Sequence, residues 1–144
     1  MIKEVNETKF GFLGFDFLTK SPTDQDFQLI NSSDTKVDIL VVGIHWGVEY
    51  KNTPEKYQTD IADRVIALGA DVIAGHHPHW VQTTEKINDK SVYYSLGNFV
   101  FDQMWSEETK KGMVIELLYQ GNELIKETKR NTYIKNIGQP EFVD

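Results

Sequence analysis

Cysteine is absent from this 144-residue chain, which removes disulfides, thiolate zinc centres and cysteine nucleophiles from consideration. No stretch approaches the ~20 consecutive apolar residues of a membrane-spanning helix. Met1–Phe10 lacks the apolar core of a signal peptide. As written, the sequence reads as cytoplasmic, with no membrane span. Positive charge is scarce as well: 15 Lys and Arg face 22 Asp and Glu, for a net charge of −7. No basic stripe interleaves with aromatics, so a nucleic-acid surface is excluded. Also missing are an internal repeat, a Ser/His/Asp order, a phosphate-cradling glycine loop and a pair of catalytic carboxylates.

What is present is a globular composition, 40% apolar, in a length that fits one domain with a real core. All four histidines come directly after two apolar runs. Val37–Gly47, VDILVVGIHWG, ends in His45; Asp71–Val81, DVIAGHHPHWV, carries His76, His77 and His79. The β-branched 37–45 run reads as a strand covered on both faces, and 71–75 as a second. Between them, Thr53-Pro54-Glu55 resembles a helix start, and Tyr57, Ile61, Val65 and Leu68 form one apolar stripe before Gly69. Strand 37–45, helix 54–68 and strand 71–75 thus form a βαβ unit of an α/β fold, with the strands parallel. Parallel strands end on the same sheet edge, where ligands of open α/β sheets bind. Topology alone brings His45 to the 76–79 cluster.

The remaining segments carry simpler signals. Ile2–Val5 and Lys9–Phe15 are strands about a turn at Asn6-Glu7-Thr8. Asp16–Lys36 is a long surface connection with a single helical turn around Phe27–Ile30. Val81–Ile87 and Ser91–Leu96 form a hairpin through Asn88-Asp89, and Phe99–Phe101 continues extended. Trp105–Lys111 is a polar loop. Met113–Tyr119 and Glu123–Lys129 form another hairpin, with Thr132–Ile137 after it.

Neutral imidazole is a good ligand for zinc, manganese and iron. In an extended segment His77 and His79 lie on one side of the chain, with Pro78 stiffening the backbone between them. With His45 they make a candidate metal set, although His45 alone would pass for a hydrogen-bonded core histidine. His76 should point away, to the surface or behind the ligands. Glu49 either orients an imidazole, meets substrate or is simply solvated. Asn98 and Asp102, in SLGNFVFD, either face the site or belong to a turn.

With HWGVEY at His45–Tyr50, GADVIAGHHPHWVQ at Gly69–Gln82 and YYSLGNFVFD at Tyr93–Asp102, the chain resembles the capsule-synthesis CapA family. That family is associated with bacterial poly-gamma-glutamate production and resembles metallophosphatases in fold. The resemblance implies a partial metallophosphatase-like sheet, residues 1–144 being the C-terminal part of the domain. It implies a two-metal site of Mn, Fe or Zn ions, His45 and His77 serving one ion and His79 the other. Relatives are anchored at the cell-surface membrane. The family's Gly-Asp opening and Asn-x-Glu segment are not found here; Asp16 comes after FGFLGF without that context. The expectation is a metal-dependent, phosphoesterase-like hydrolase active only when completed. The alternatives are a non-catalytic component of a capsule-synthesis complex, binding an anionic polymer, or an inactive truncated remnant.

Overall fold

The computed structural model describes residues 1–143 as two sheets and two helices. The larger sheet begins with a hairpin of β1 (Ile2–Val5) and β2 (Thr8–Asp16), turning through Asn6 and Glu7, both at positive φ as a tight two-residue hairpin turn needs. Helix α1 (Asp24–Asp34) leads to β3 (Ile39–His45), and α2 (Lys56–Ala67) leads to β4 (Val72–His76). Hairpin β5 (Thr84–Ile87) and β6 (Lys90–Tyr93) completes the order β1-β2-β3-β4-β6-β5. Strands β2, β3, β4 and β6 run parallel, with antiparallel β1 and β5 at the two edges. The expected βαβ unit is therefore the middle of the sheet.

Both helices cover one face. Phe27 and Ile30 of α1, and Ala62, Val65 and Ile66 of α2, pack with Leu40, Val42, Ile44 and Ile73 into a single core. Consecutive right-handed crossovers that advance in one direction put their helices on the same side, which accounts for this arrangement. The alternate positions, Val41, Val72 and Ala74, face the other way. A second, antiparallel sheet lies across that side: β7 (Lys111–Gln120), β8 (Glu123–Asn136) and β9 (Gln139–Val143). It is tied on by Phe10 edge-on to Tyr119 with ring centroids 6.0 Å apart, and by Lys86 Nζ to Glu127 at 2.6 Å. Among the described residues, no helix is long and apolar enough to cross a membrane.

Several expectations are corrected. The connection after Asp16 holds a full helix, not one turn, because Thr23 and Asp26 cap each other's backbone N–H groups. An aspartate at the third helical position and only two buried apolar residues hid it. Helix α2 starts at Lys56 rather than at Pro54, capped by Glu55 with Gln58. Tyr57 leaves the buried stripe, and its hydroxyl accepts the Gly47 N–H at 2.6 Å. Phe99–Phe101 is not extended strand, and residues 108–110 form a short 3₁₀ turn. Thr132–Ile137 is mostly the far half of a 14-residue β8, and β9 behind Pro140 gave no strand signal.

Gly75 in β4 has no room for a side chain. A Cβ there would run into the Tyr94 carbonyl oxygen and lie 2.5 Å from Trp46 Nε1. Since the obstacle is backbone, Gly75→Ala should cost at least the ~1–3 kcal/mol typical of overpacking. Urea unfolding would show it, and an unchanged midpoint would contradict this packing.

Candidate metal centre

The sheet's register builds the site. Asp16, His45 and His76 are lateral partners at the carboxyl ends of β2, β3 and β4. Beyond β3 the chain is anchored by Trp46, fully buried, whose Nε1 donates to the Tyr94 carbonyl at 2.9 Å while its own N–H donates to the His76 carbonyl at 3.1 Å. Gly47, at φ +95°, turns the chain against Pro78 and Gln58. Two buried amides hold the loop from there to α2: Gln82 Nε2 donates to the Thr53 and Lys51 carbonyls at 2.9 and 3.2 Å, and Gln58 Nε2 to Gln82 Oε1 at 3.4 Å. The Tyr50 N–H donates to the Pro78 carbonyl at 2.8 Å. The loop so fixed carries Glu49.

Across from it, the His77-Pro78-His79 turn is not extended. His77 has φ +101° and His79 φ +59°, and Tyr50 sits at +62°. Positive φ outside glycine costs of order 1–3 kcal/mol and persists only where surroundings enforce it, a pattern that gathers at working sites. The turn still brings the rings together, by curling rather than by alternation.

The side chains that converge are Glu49, His77 and His79, each offering a ligand atom within 4.8 Å of the other two. His79 Nε2 lies 3.9 Å from Glu49 Oε1. His45 stands beside the group, its ring centroid 4.8 Å from that of His77. Glu49 thus joins His77 and His79, with His45 next to them.

Asn98 decides how His79 is presented. Only 5% exposed, it donates through Nδ2 to the Thr109 carbonyl at 2.8 Å, which turns its Oδ1 toward His79 Nδ1, also at 2.8 Å. An acceptor there requires the proton on Nδ1, so Nε2 keeps its lone pair for the centre. The second sheet fixes Asn98 in turn, through its N–H to the Lys111 carbonyl at 3.3 Å.

His77 is held below the ordinary imidazole value of 6.5, foremost by desolvation and then by His45, which together outweigh Glu49 and Asp16. His76 is lowered likewise, by desolvation first and His45 second. His76 does not join the ligand group; it lines an apolar cleft of about 430 Å³ between the open sheet face and β7. Asp102 is exposed and, among the described residues, makes no hydrogen bond or ion pair. Asp16 is a neighbour to which the sequence assigned no role, marked only as the last residue of an apolar run.

Two imidazoles and a carboxylate suit a divalent zinc, manganese or iron ion. The three atoms need only a small closure to share one coordination sphere, and the fixed His79 tautomer already offers its free nitrogen. The residues fit a metal.

A profile described as "Bacterial capsule synthesis protein PGA_cap" matches residues 1–103. The "PGA biosynthesis protein CapA" of Bacillus subtilis (strain 168) is 43% identical over 86 residues, which is 60% of this chain and 23% of that protein. The "Capsule biosynthesis protein CapA" of Bacillus anthracis is 41% identical over 90 residues, 60% of this chain and 22% of that one. A "Probable polyglutamine synthesis accessory protein" of Mycobacterium tuberculosis is 31% identical over 65 residues, 45% of this chain and 17% of that protein. The aligned stretch therefore spans less than a quarter of these relatives.

Two measurements check this geometry. Asn98→Ala should weaken metal binding about 10- to 100-fold by freeing the His79 tautomer, whereas Asn98→Asp, which still accepts from Nδ1, should retain most of it; calorimetric titration with zinc would separate them. In metal-free protein the His77 ring should titrate below 6.5 by imidazole NMR. The folded state then binds fewer protons at this ring than the unfolded chain. Its contribution to stability is present above pH 6.5 and is lost as pH falls from there through the lowered value.

Proposed function

The chain belongs to the bacterial capsule synthesis PGA_cap family, and from that premise we propose that it carries part of a metal-dependent phosphoesterase-like site serving capsule polymer synthesis. The convergence of Glu49, His77 and His79 at the carboxyl edge of a parallel sheet supports this reading most directly. A divalent ion held there would polarise a phosphoryl oxygen and make bound water a nucleophile near neutral pH. Glu49 supplies negative charge that balances the ion. His79 presents Nε2 because Asn98 occupies its other nitrogen. His77, kept neutral by desolvation, presents a lone pair without first losing a proton.

His45 and Asp16, lateral partners at the ends of β3 and β2, are the natural start of a place for a second ion. Further ligands for it would come from outside the stretch aligned with relatives. On this reading the larger sheet is one layer of a metallophosphatase-like domain.

A second reading is an accessory component that binds an anionic capsule polymer without cleaving it. It is favoured by a centre open to solvent, where Glu49 and His45 are both exposed, and by the word "accessory" in the mycobacterial relative's name.

Metal analysis of the purified chain, with phosphomonoester and phosphodiester assays, tests the first reading. His77→Ala should reduce bound metal by at least about 100-fold and abolish any hydrolysis with it. Polymer binding that survives chelation, with no hydrolysis in the metal-loaded protein, would replace the first reading by the second.

A further inference from the structure

We propose that Tyr50, Phe101 and Trp105 form a stacking subsite for a flat aromatic ring carried by the anion bound at the metal centre. The inference rests on the phosphoester reading and names the kind of ester the site prefers.

The observations are geometric. The Tyr50 ring lies stacked on His79, with centroids 6.1 Å apart and planes at 26°. The Trp105 ring meets it edge-on at 4.8 Å and 84°. The Phe101 ring lies near His79, with centroids 5.0 Å apart and planes at 43°. Two rings thus touch a candidate ligand imidazole, and the third extends the wall outward from it.

Tyr50 is half-buried against its neighbours, but the other two rings keep open surface. Trp105 is 61% exposed and Phe101 38%, although the chain buries Trp46 and Tyr94 completely or nearly so. Single exposed apolar residues need no explanation, but a contiguous aromatic wall beside a polar centre does. Tyr50 also reaches its place at φ +62°, an unfavourable angle for an aromatic residue, held there by its N–H bond to Pro78.

Shape and chemistry select the occupant. Ring faces and edges stack on flat π-systems, whether a nucleobase or a simple aryl group, with little dependence on which. Gln103 adds an amide at the wall, donating to the Tyr50 hydroxyl over a long 3.4 Å and receiving from Asn98 at 3.5 Å. Such stretched bonds leave it available to the polar edge of a base. A ringless phosphate ester would meet the metal but not the wall.

The test titrates the whole chain, loaded with zinc, with phenyl phosphate, adenosine monophosphate and glycerol phosphate. Equilibrium dialysis and tryptophan fluorescence report binding, and metal content is measured in parallel. Both ring-bearing esters should bind about tenfold more tightly than glycerol phosphate, the order expected of one stacked ring. The advantage should fall below about twofold in Trp105→Ala, with metal content unchanged. A preference for adenosine monophosphate alone would mark a nucleobase site, and equal preference a general aryl site. Equal binding of all three esters, or a preference that survives both Trp105→Ala and Phe101→Ala, overturns the subsite while leaving the metal reading intact. If no metal binds, the phosphoester reading falls by itself. Adenosine then decides the subsite by equilibrium dialysis: saturable binding lost in Trp105→Ala keeps it, and no binding overturns it.

Discussion

The structure turns on a contact that needs a missing side chain. Gly75 has no Cβ, so the Trp46 indole crosses β4 and donates to the Tyr94 carbonyl. That one crossing ties together the segments after β3, β4 and β6, which carry Glu49, His77 with His79, and Asn98. The tie is buried, so its hydrogen bond is not diluted by competing water, and breaking it would leave an indole N–H unpaired at a cost of ~1–3 kcal/mol. The Leu96 N–H donating to the Gly75 carbonyl at 3.2 Å closes the same junction from the other side.

Around this tie the molecule places polar groups where a core would ordinarily be apolar. Gln58 and Gln82 are almost completely buried, and their amides are satisfied by one another and by the carbonyls of residues 51 and 53. They act as a clamp on the loop that delivers Glu49. Asn98 is the same device on the opposite wall, tied to Thr109 and to the second sheet. Satisfied buried networks of this kind specify one arrangement, since any other leaves a donor without an acceptor. Positive φ at Tyr50, His77 and His79 is tolerated for that reason.

The two faces of the larger sheet have different work. One carries both helices and the main core. The other carries His76 over an apolar cleft, with the second sheet laid across its far part. The helix face makes the strand ends rigid, while the rim above the open face gathers imidazoles, carboxylates and the aromatic wall.

Much of this was legible in the residues alone. The β-branched runs before His45 and before His76 fixed two parallel strands, because such runs are stable only when covered on both sides, and parallel strands must end together. Asn6-Glu7 and Asn88-Asp89 marked their hairpins through turn preference. Local pattern failed where stability came from a few capping bonds, as in α1, or from pairing with a distant strand, as in β9. For the site, the parallel-strand pattern was enough to bring His45 to the edge that carries His77 and His79, while it left Glu49 and Asn98 open between the site and solvent or a turn. That His76 points away from the ligands was expected from its place next to His77, but the cleft it lines, the approach of Glu49 to His77 and His79, and the hold of Asn98 on His79 came from the folded chain. These depend on backbone angles and hydrogen bonds between segments far apart in the chain, and no periodicity within one segment records them.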